Sequence, residues 1–299
     1  MKILITGATG LLGRAVYNQL NSNKEIEATG IGFSRAELPL IKLNLRDNKK
    51  VSLFLEEKKP DLIIHCAAER RPDVSEADPS ASEQLNIEVT RNLANISEKL
   101  GCSMIYISTD YVFDGSNPPY YADSETNPLN FYGKTKLAGE KAVTNNLKNF
   151  TILRVPILYG SELYPGESSI GSIYASLSKN RGGKFDDIAV RYPSHTEDVA
   201  IVLDRIISAS IEGKDITGIF HFSGNEALTK YKMAEIMASF MNINVDCIYP
   251  DRSGSGAALR PRDSHLDTSR LRLVISLPGR SFEDGIKLVL ERFYLTKTK

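Results

Sequence analysis

A doubly wound α/β fold, a parallel Rossmann sheet with a small C-terminal substrate lobe, follows from three features of the sequence. Short apolar runs alternate with amphipathic segments through the first half, a glycine-rich turn stands between the first run and the first amphipathic segment, and the alternation resumes more loosely after Gly160. Strand–helix alternation builds βαβ units, and their right-handed crossovers lay the strands parallel with helices on both faces.

Taken in order, Lys2 to Thr6 reads as a buried strand and Leu11 to Asn21 as a helix. Ile26 to Phe33 and Pro39 to Leu45 read as strands, Lys50 to Lys58 as a helix and Asp61 to Ala67 as a strand. Glu83 to Leu100 is a long helix, with Leu85, Val89, Leu93 and Ile96 at helical spacing. Ser103 to Thr109 is a strand, Tyr132 to Val143 a helix and Thr151 to Tyr159 a strand. Ser161 to Lys184 is rich in Gly and Ser and reads as irregular at its start. Then come a helix from His195 to Ala209, a strand from Gly218 to Phe222, a helix from Lys230 to Met241, a strand from Val245 to Tyr249 and a closing helix from Phe282 to Phe293. The tail from Tyr294 to Lys299 is polar and reads as flexible. The pattern divides the chain into a Rossmann domain over residues 1–160 and a mixed region over 161–299, which contributes late sheet elements and a small lobe for substrate or partner.

The 299 residues are 41% hydrophobic and 25% charged, a composition able to bury a core. Lys plus Arg equal Asp plus Glu at 37 each, so no net field draws the chain to nucleic acid or to an acidic membrane. Cys66, Cys102 and Cys247 are scattered, with neither a CxxC pair nor metal-ligand spacing, which fits reduced thiols and no metal site. MKILITGATG reads as a strand and a turn rather than a signal peptide, and no stretch approaches the roughly 20 apolar residues of a membrane helix. The cytoplasm is the expected compartment.

Gly7, Gly10 and Gly13 punctuate the turn between the first strand and the first helix, with Thr9, Leu11 and Leu12 between and beside them. In this context Gly7 permits a sharp turn, Gly10 lets the backbone approach a diphosphate, and Gly13 lets helix and strand pack closely. The free N–H groups and the positive helix end then hold the anion. A carboxylate at the end of the second strand would bind the ribose 2′-OH of NAD. The stretch here is Gly32-Phe33-Ser34-Arg35, which offers a hydroxyl and a guanidinium to a 2′-phosphate, with Arg14 as a second cation. NADP(H) is therefore the expected cofactor, although both arginines would also suit a solvated surface. Asn44 and Leu45 follow the third strand and are placed against adenine, while Ala67 and Ala68 are small enough to line the cofactor cleft.

Tyr132 and Lys136 form YxxxK, an i, i+4 pair on one helix face. A phenol ionises near pH ~10, and a neighbouring ammonium favours the phenolate, so such a pair can give or take a proton near neutrality. Thr109 ends a strand at the carboxyl edge, where it can hydrogen-bond a substrate oxygen. His65 reads as a satisfied core histidine; His195 either contacts substrate or merely starts a helix. Asn92, on the long helix before Thr109, reads either as a site residue or, nearly as well, as a capping or surface amide.

TGxxGxxG, from Thr6 to Gly13, resembles the extended short-chain dehydrogenase/reductases. YISTDYVFDGSNPPY (Tyr106 to Tyr120), YGKTKLAGEKAV (Tyr132 to Val143) and RPRDSHLDTSRL (Arg260 to Leu271) resemble the dTDP-4-dehydrorhamnose reductase family over nearly the whole chain. HCAAERRPDV, LRVPILYG and FHFSGNEALTKYKMA resemble one branch of that family, the regulatory β subunits of methionine adenosyltransferase. The resemblance implies that Asn86 supports the site's backbone and that Tyr132 and Lys136 also contact the cofactor; Arg154, His195 and Arg260 are candidate substrate contacts. It implies one of two jobs. One is a regulatory subunit that binds NADP and grips the methionine adenosyltransferase catalytic subunit. The other is an NADPH-dependent reductase acting on the C4 ketone of a dTDP-4-keto-6-deoxysugar. Bacterial sugar-nucleotide reductases of the family commonly carry a Trp in the stretch that here runs from Arg154 to Gly160, and this chain has no Trp.

Overall fold

The structure, a computed structural model, describes residues 1–254 and 258–294, with backbone alone at Asn180, Phe293 and Tyr294. The elements run β1 (Lys2–Thr6), α1 (Leu11–Asn21), β2 (Glu27–Gly32), β3 (Ile41–Lys42), α2 (Asn48–Lys58), β4 (Leu62–His65), α3 (Pro72–Ala77), α4 (Pro79–Glu83), a π-helical turn (Gln84–Glu88), α5 (Val89–Leu100) and β5 (Ser103–Thr109). They continue with α6 (Phe131–Asn146), β6 (Phe150–Val155), β7 (Leu158–Tyr159), α7 (Ser169–Asn180), β8 (Gly183–Asp186), β9 (Ser194–His195), α8 (Thr196–Ile211), β10 (Gly218–His221), α9 (Lys230–Phe240), β11 (Ile248–Asp251), α10 (Ser269–Arg272) and α11 (Phe282–Tyr294).

Seven strands form one parallel sheet in the order β10-β6-β5-β4-β1-β2-β3. Strands covered on both faces must be apolar throughout, and every residue of β4 is buried, as are the last four of β1. One face packs Val16 and Leu20 of α1 against Val199, Leu203 and Ile206 of α8. The other packs Val51 and Leu55 of α2, Leu93 and Ile96 of α5, and Val143 of α6. A third cluster joins α7, α9 and α11 to the β8–β11 pair. Strand order reverses between β1 and β4, and the crevice outside their carboxyl ends is where such sheets bind ligands.

Several expected elements differ in detail. The strand expected over 39–45 shortens to Ile41–Lys42. The run from Thr151 to Tyr159 breaks at Pro156, which lacks an N–H for the ladder, and β7 pairs with β9 instead of continuing the main sheet. Val245 to Cys247 is a 3₁₀ turn, and the strand starts at Ile248. The long helix contains the π-helical turn, and α3 begins at Pro72, a proline well placed at a first helical position. The irregular stretch after Gly160 ends at Ser168, whose hydroxyl accepts from the Gly171 amide and caps α7. The tail from 295 onward lies outside the described residues.

Arg154 requires a correction. Rather than facing a substrate, it is 2% exposed inside the sheet layer. Its Nε and Nη2 donate to the two oxygens of Glu140 at 2.9 and 2.7 Å, and Ser108 Oγ donates to the same carboxylate at 2.5 Å. A pair of complementary groups this deeply buried keeps its charge only while both members are present. Arg154→Met is expected to lower stability by about 3–5 kcal/mol, because it strands the Glu140 carboxylate. Urea denaturation checks this, and a loss below about 1 kcal/mol would contradict it.

Candidate functional site

At the amino end of α1 the glycine turn closes through backbone hydrogen bonds. Gly10 N donates to Gly7 O at 2.8 Å, and Arg14 N to Gly10 O at 2.9 Å. Gly7 sits at φ +66°, and a Cβ there would press to 2.8 Å from the Ala67 backbone. A Cβ on Gly13 would stand 2.1 Å from Gly7 O. α1 starts without a capping side chain and without an acidic residue in its first turn, so its leading N–H groups and its positive end stay available to an anion.

A cleft of about 850 Å³ opens in front of this turn. It gathers Gly7, Thr9, Gly10, Leu11, Leu12 and Gly13, then Ser34 and Arg35 from the end of β2. Asn44, Leu45, Ala67 and Ala68 line it as well, as do Thr109, Tyr132 and Lys136. Residues from distant parts of the sequence thus line one cleft. Asn86 stands behind that lining: its amide donates to Glu69 O and to Thr135 Oγ1 at 3.0 Å each, and its Oδ1 accepts from Glu69 N at 2.9 Å. The π-helical turn aims Asn86 at the segment that follows Ala68.

Lys136 Nζ donates to Ile107 O at 2.7 Å and lies 3.9 Å from the centre of the Tyr106 ring. Burial pushes its ammonium down to about 7, against the pull of the Glu140 carboxylate. Burial likewise raises the Tyr132 phenol, while a hydrogen bond with the Thr109 side chain works in the other direction. Tyr111 meets Tyr132 edge to face, with ring centres 5.9 Å apart. Thr109 Oγ1 donates to Asp110 Oδ1 at 3.1 Å, so this hydroxyl is already oriented by its neighbour. His65 is a core histidine: Nδ1 meets Thr6 Oγ1 at 2.6 Å and Nε2 meets Thr90 Oγ1 at 3.1 Å, and burial holds its pKa at about 3.

Two other expected site residues lie elsewhere. His195 is the N-cap of α8, where its Nδ1 accepts from Glu197 N at 3.2 Å and its ring meets the edge of Tyr159. At 3% exposed and away from the cleft lining, it caps a helix rather than contacting a substrate. Arg14 is also not a free cation: Nη1 and Nη2 donate to the Glu167 carboxylate at 2.9 and 2.7 Å, and further bonds reach Thr9 O and Ser161 O. Arg260 does line the cleft, where it pairs with Asp73 at 2.6 Å. The structure adds lining residues that periodicity could not assign, among them Arg70, Glu167, Asp186, Arg191 and Lys230. The adjacent Arg70-Arg71, just beyond Ala67-Ala68 at a strand's carboxyl end, was the one local signal for this group.

The family described as RmlD substrate binding domain matches residues 1–295. The chain belongs to that family. It is 43% identical to methionine adenosyltransferase 2 subunit beta of Bos taurus, over 99% of this chain and 89% of that one. It is 32% identical to a probable dTDP-4,6-dihydroxy-2-methyloxan-3-one 4-ketoreductase of Streptomyces antibioticus, over 96% of this chain and 94% of that one. Among solved structures it resembles a dTDP-4-dehydrorhamnose reductase of Bacillus anthracis in complex with NADP, with a TM-score of 0.85 and 26% identity, covering 97% and 99% of the two chains. The seven-stranded sheet is thus the fold of this family.

The buried lysine gives a pH signature. Its folded pKa of about 7 lies below the unfolded value near ~10.5, so between these the unfolded chain binds more protons and stability rises with pH. Relative to Lys136→Met, the cofactor-free wild type should gain roughly 1 kcal/mol per pH unit from pH ~7.5 to ~9.5. Paired urea midpoints at the two pH values check this, and parallel curves would refute it.

Proposed function

We propose that this chain is an NADP(H)-binding regulatory β subunit of methionine adenosyltransferase, serving S-adenosylmethionine synthesis in the cytoplasm. The observation that carries the partner is the 43% identity to such a subunit, spread over 99% of the chain. The cofactor is assigned to residues 1–160, and contact with substrate or partner to the small lobe of the 161–299 region. Among the described residues no helix is long and apolar enough to cross a membrane.

The cofactor rests on the fit of the cleft. A glycine turn whose Cβ positions are filled by backbone, an uncapped helix start and an arginine rather than a carboxylate after β2 suit a dinucleotide with a 2′-phosphate. Gly7 to Gly13 would hold the diphosphate, Ser34 and Arg35 the 2′-phosphate, Asn44 and Leu45 the adenine side, and Ala67 and Ala68 the ribose side. When bound, a nicotinamide supplies a hydride donor or acceptor. The chain's own part there is to hold a proton on the Tyr132 hydroxyl, to steady that hydroxyl with Thr109, and to keep the Lys136 ammonium at the same wall. The regulatory reading is favoured over a dTDP-4-keto-6-deoxysugar reductase because the likeness to the subunit is closer than the likeness to the ketoreductase, 43% against 32%.

Co-expression with the catalytic methionine adenosyltransferase of the same source is expected to give a complex stable to size-exclusion chromatography. Separate elution, together with rapid NADPH oxidation in the presence of a dTDP-4-keto-6-deoxyhexose, would replace this reading with the reductase one. Calorimetry is expected to show tighter binding of NADPH than of NADH, by about tenfold or more, with the preference lost in Arg35→Asp. Equal affinities in the wild type would remove the 2′-phosphate assignment.

A further inference from the structure

The segment from Ser161 to Ser168 forms a strap that lines the cleft through Gly166, Glu167 and Ser168. It is stiffened from within, because the Glu162 carboxylate accepts from the amides of Gly166, Glu167 and Ser168 at 3.0, 3.1 and 2.8 Å. It is tied down at Glu167, whose side chain is 1% exposed. Three arginines converge on this residue, one from the first turn of α1, one from the loop after β2 and one from the loop after β4. Arg14 forks onto its carboxylate, Arg35 Nη1 reaches Oε1 at 3.3 Å, and Arg70 donates to its backbone carbonyl. Leu163 N adds a fifth bond, to Oε2 at 2.9 Å. Burial opposes ionisation of this carboxyl, but the Arg14 and Leu163 bonds and the two guanidinium charges outweigh it and hold it below the usual carboxylate range.

The two arginines are not held alike. Arg14 spends both terminal nitrogens on Glu167, and its side chain is 19% exposed. Arg35 spends one nitrogen at the longest of these distances and is 43% exposed, with its residue lining the cleft. An arginine has five N–H donors, so Arg35 can turn its remaining donors to an anion. Any anion it takes then sits one guanidinium away from the fixed negative charge of Glu167.

We propose that Glu167 is a specificity-determining residue: a counter-charge that competes with the cofactor's 2′-phosphate for Arg35 and so moderates the preference for NADP(H) over NAD(H). The inference rests on the NADP(H) reading above. Glu167 repels the 2′-phosphate and is indifferent to a 2′-hydroxyl. The strap itself stays anchored on Arg14 in either case, so the effect is electrostatic and confined to the phosphate-bearing cofactor.

The test is calorimetric titration of the full chain with NADPH and with NADH, in the wild type, Glu167→Gln and Glu167→Asp, at about 0.1 M salt where charges this close are only partly screened. Glu167→Gln keeps the shape and removes the charge, and should tighten NADPH binding about fivefold while moving NADH less than twofold. Glu167→Asp keeps the charge and should hold the NADPH/NADH ratio within about twofold of wild type, which separates charge from packing. An equal change for both nucleotides in Glu167→Gln, a weakening of NADPH alone, or no change would each overturn the proposal while leaving the cofactor assignment standing. Wild-type protein that binds neither nucleotide would overturn the cofactor assignment and this inference together.

Discussion

The crevice depends on one close approach. At Gly13 a methyl group would stand 2.1 Å from Gly7 O, so α1 can leave the end of β1 at its observed angle only if neither a Cβ nor a capping side chain intervenes. That angle sends Val16 and Leu20 into the core beside α8, and it leaves the leading N–H groups of the helix facing the cleft. Packing and anion binding are therefore two consequences of the same missing atom. A larger residue at Gly13 would move the helix off the sheet and turn its positive end away from the crevice at the same time.

The opposite wall solves a different problem, that of keeping cations in a dry place. Lys136 is buried, and it remains tolerable because Ile107 O accepts a hydrogen bond from its ammonium and the face of Tyr106 lies 3.9 Å away. Arg154 is buried as well and is neutralised outright by Glu140. The two arrangements share α6, since Lys136 and Glu140 stand one helical turn apart. The lysine, left with a carbonyl and a ring rather than a carboxylate of its own, is the group whose proton is loosely held. The arginine beside it serves stability.

The strands, the glycine turn and the Tyr132–Lys136 pair were legible because each is a local pattern: a run, a spacing of three, a spacing of four. What local pattern hides is partnership. Arg14 reads as a free cation until Glu167, 153 positions later, claims it. Arg154 reads as a residue near substrate until Glu140, on a neighbouring helix, encloses it. His195 lies at the expected helix start, yet only the three-dimensional structure shows that its ring is spent on the Glu197 amide and packed on Tyr159. Pro156 was in plain view, but an apolar run on both sides of it masked the break in the strand. The same limit applies to Asn86, whose position was readable and whose three hydrogen bonds to Glu69 and Thr135 were not.

A chain of zero net charge builds a cleft rich in cations by placing their counter-ions at particular points rather than evenly. Glu167 answers Arg14 and Arg35 at the end beside β2, and Asp73 answers Arg260 at the far end. Arg191 lies between, buried, with Nη2 lacking any hydrogen-bond partner among the described residues. A buried donor without a partner is costly, so this guanidinium is less well satisfied than Arg14 or Arg260. The carboxylates already present keep these guanidinium groups from repelling one another. At Arg35 and Arg260 an incoming anion would exchange partners with a carboxylate instead of meeting a bare cation, which favours selectivity over raw affinity.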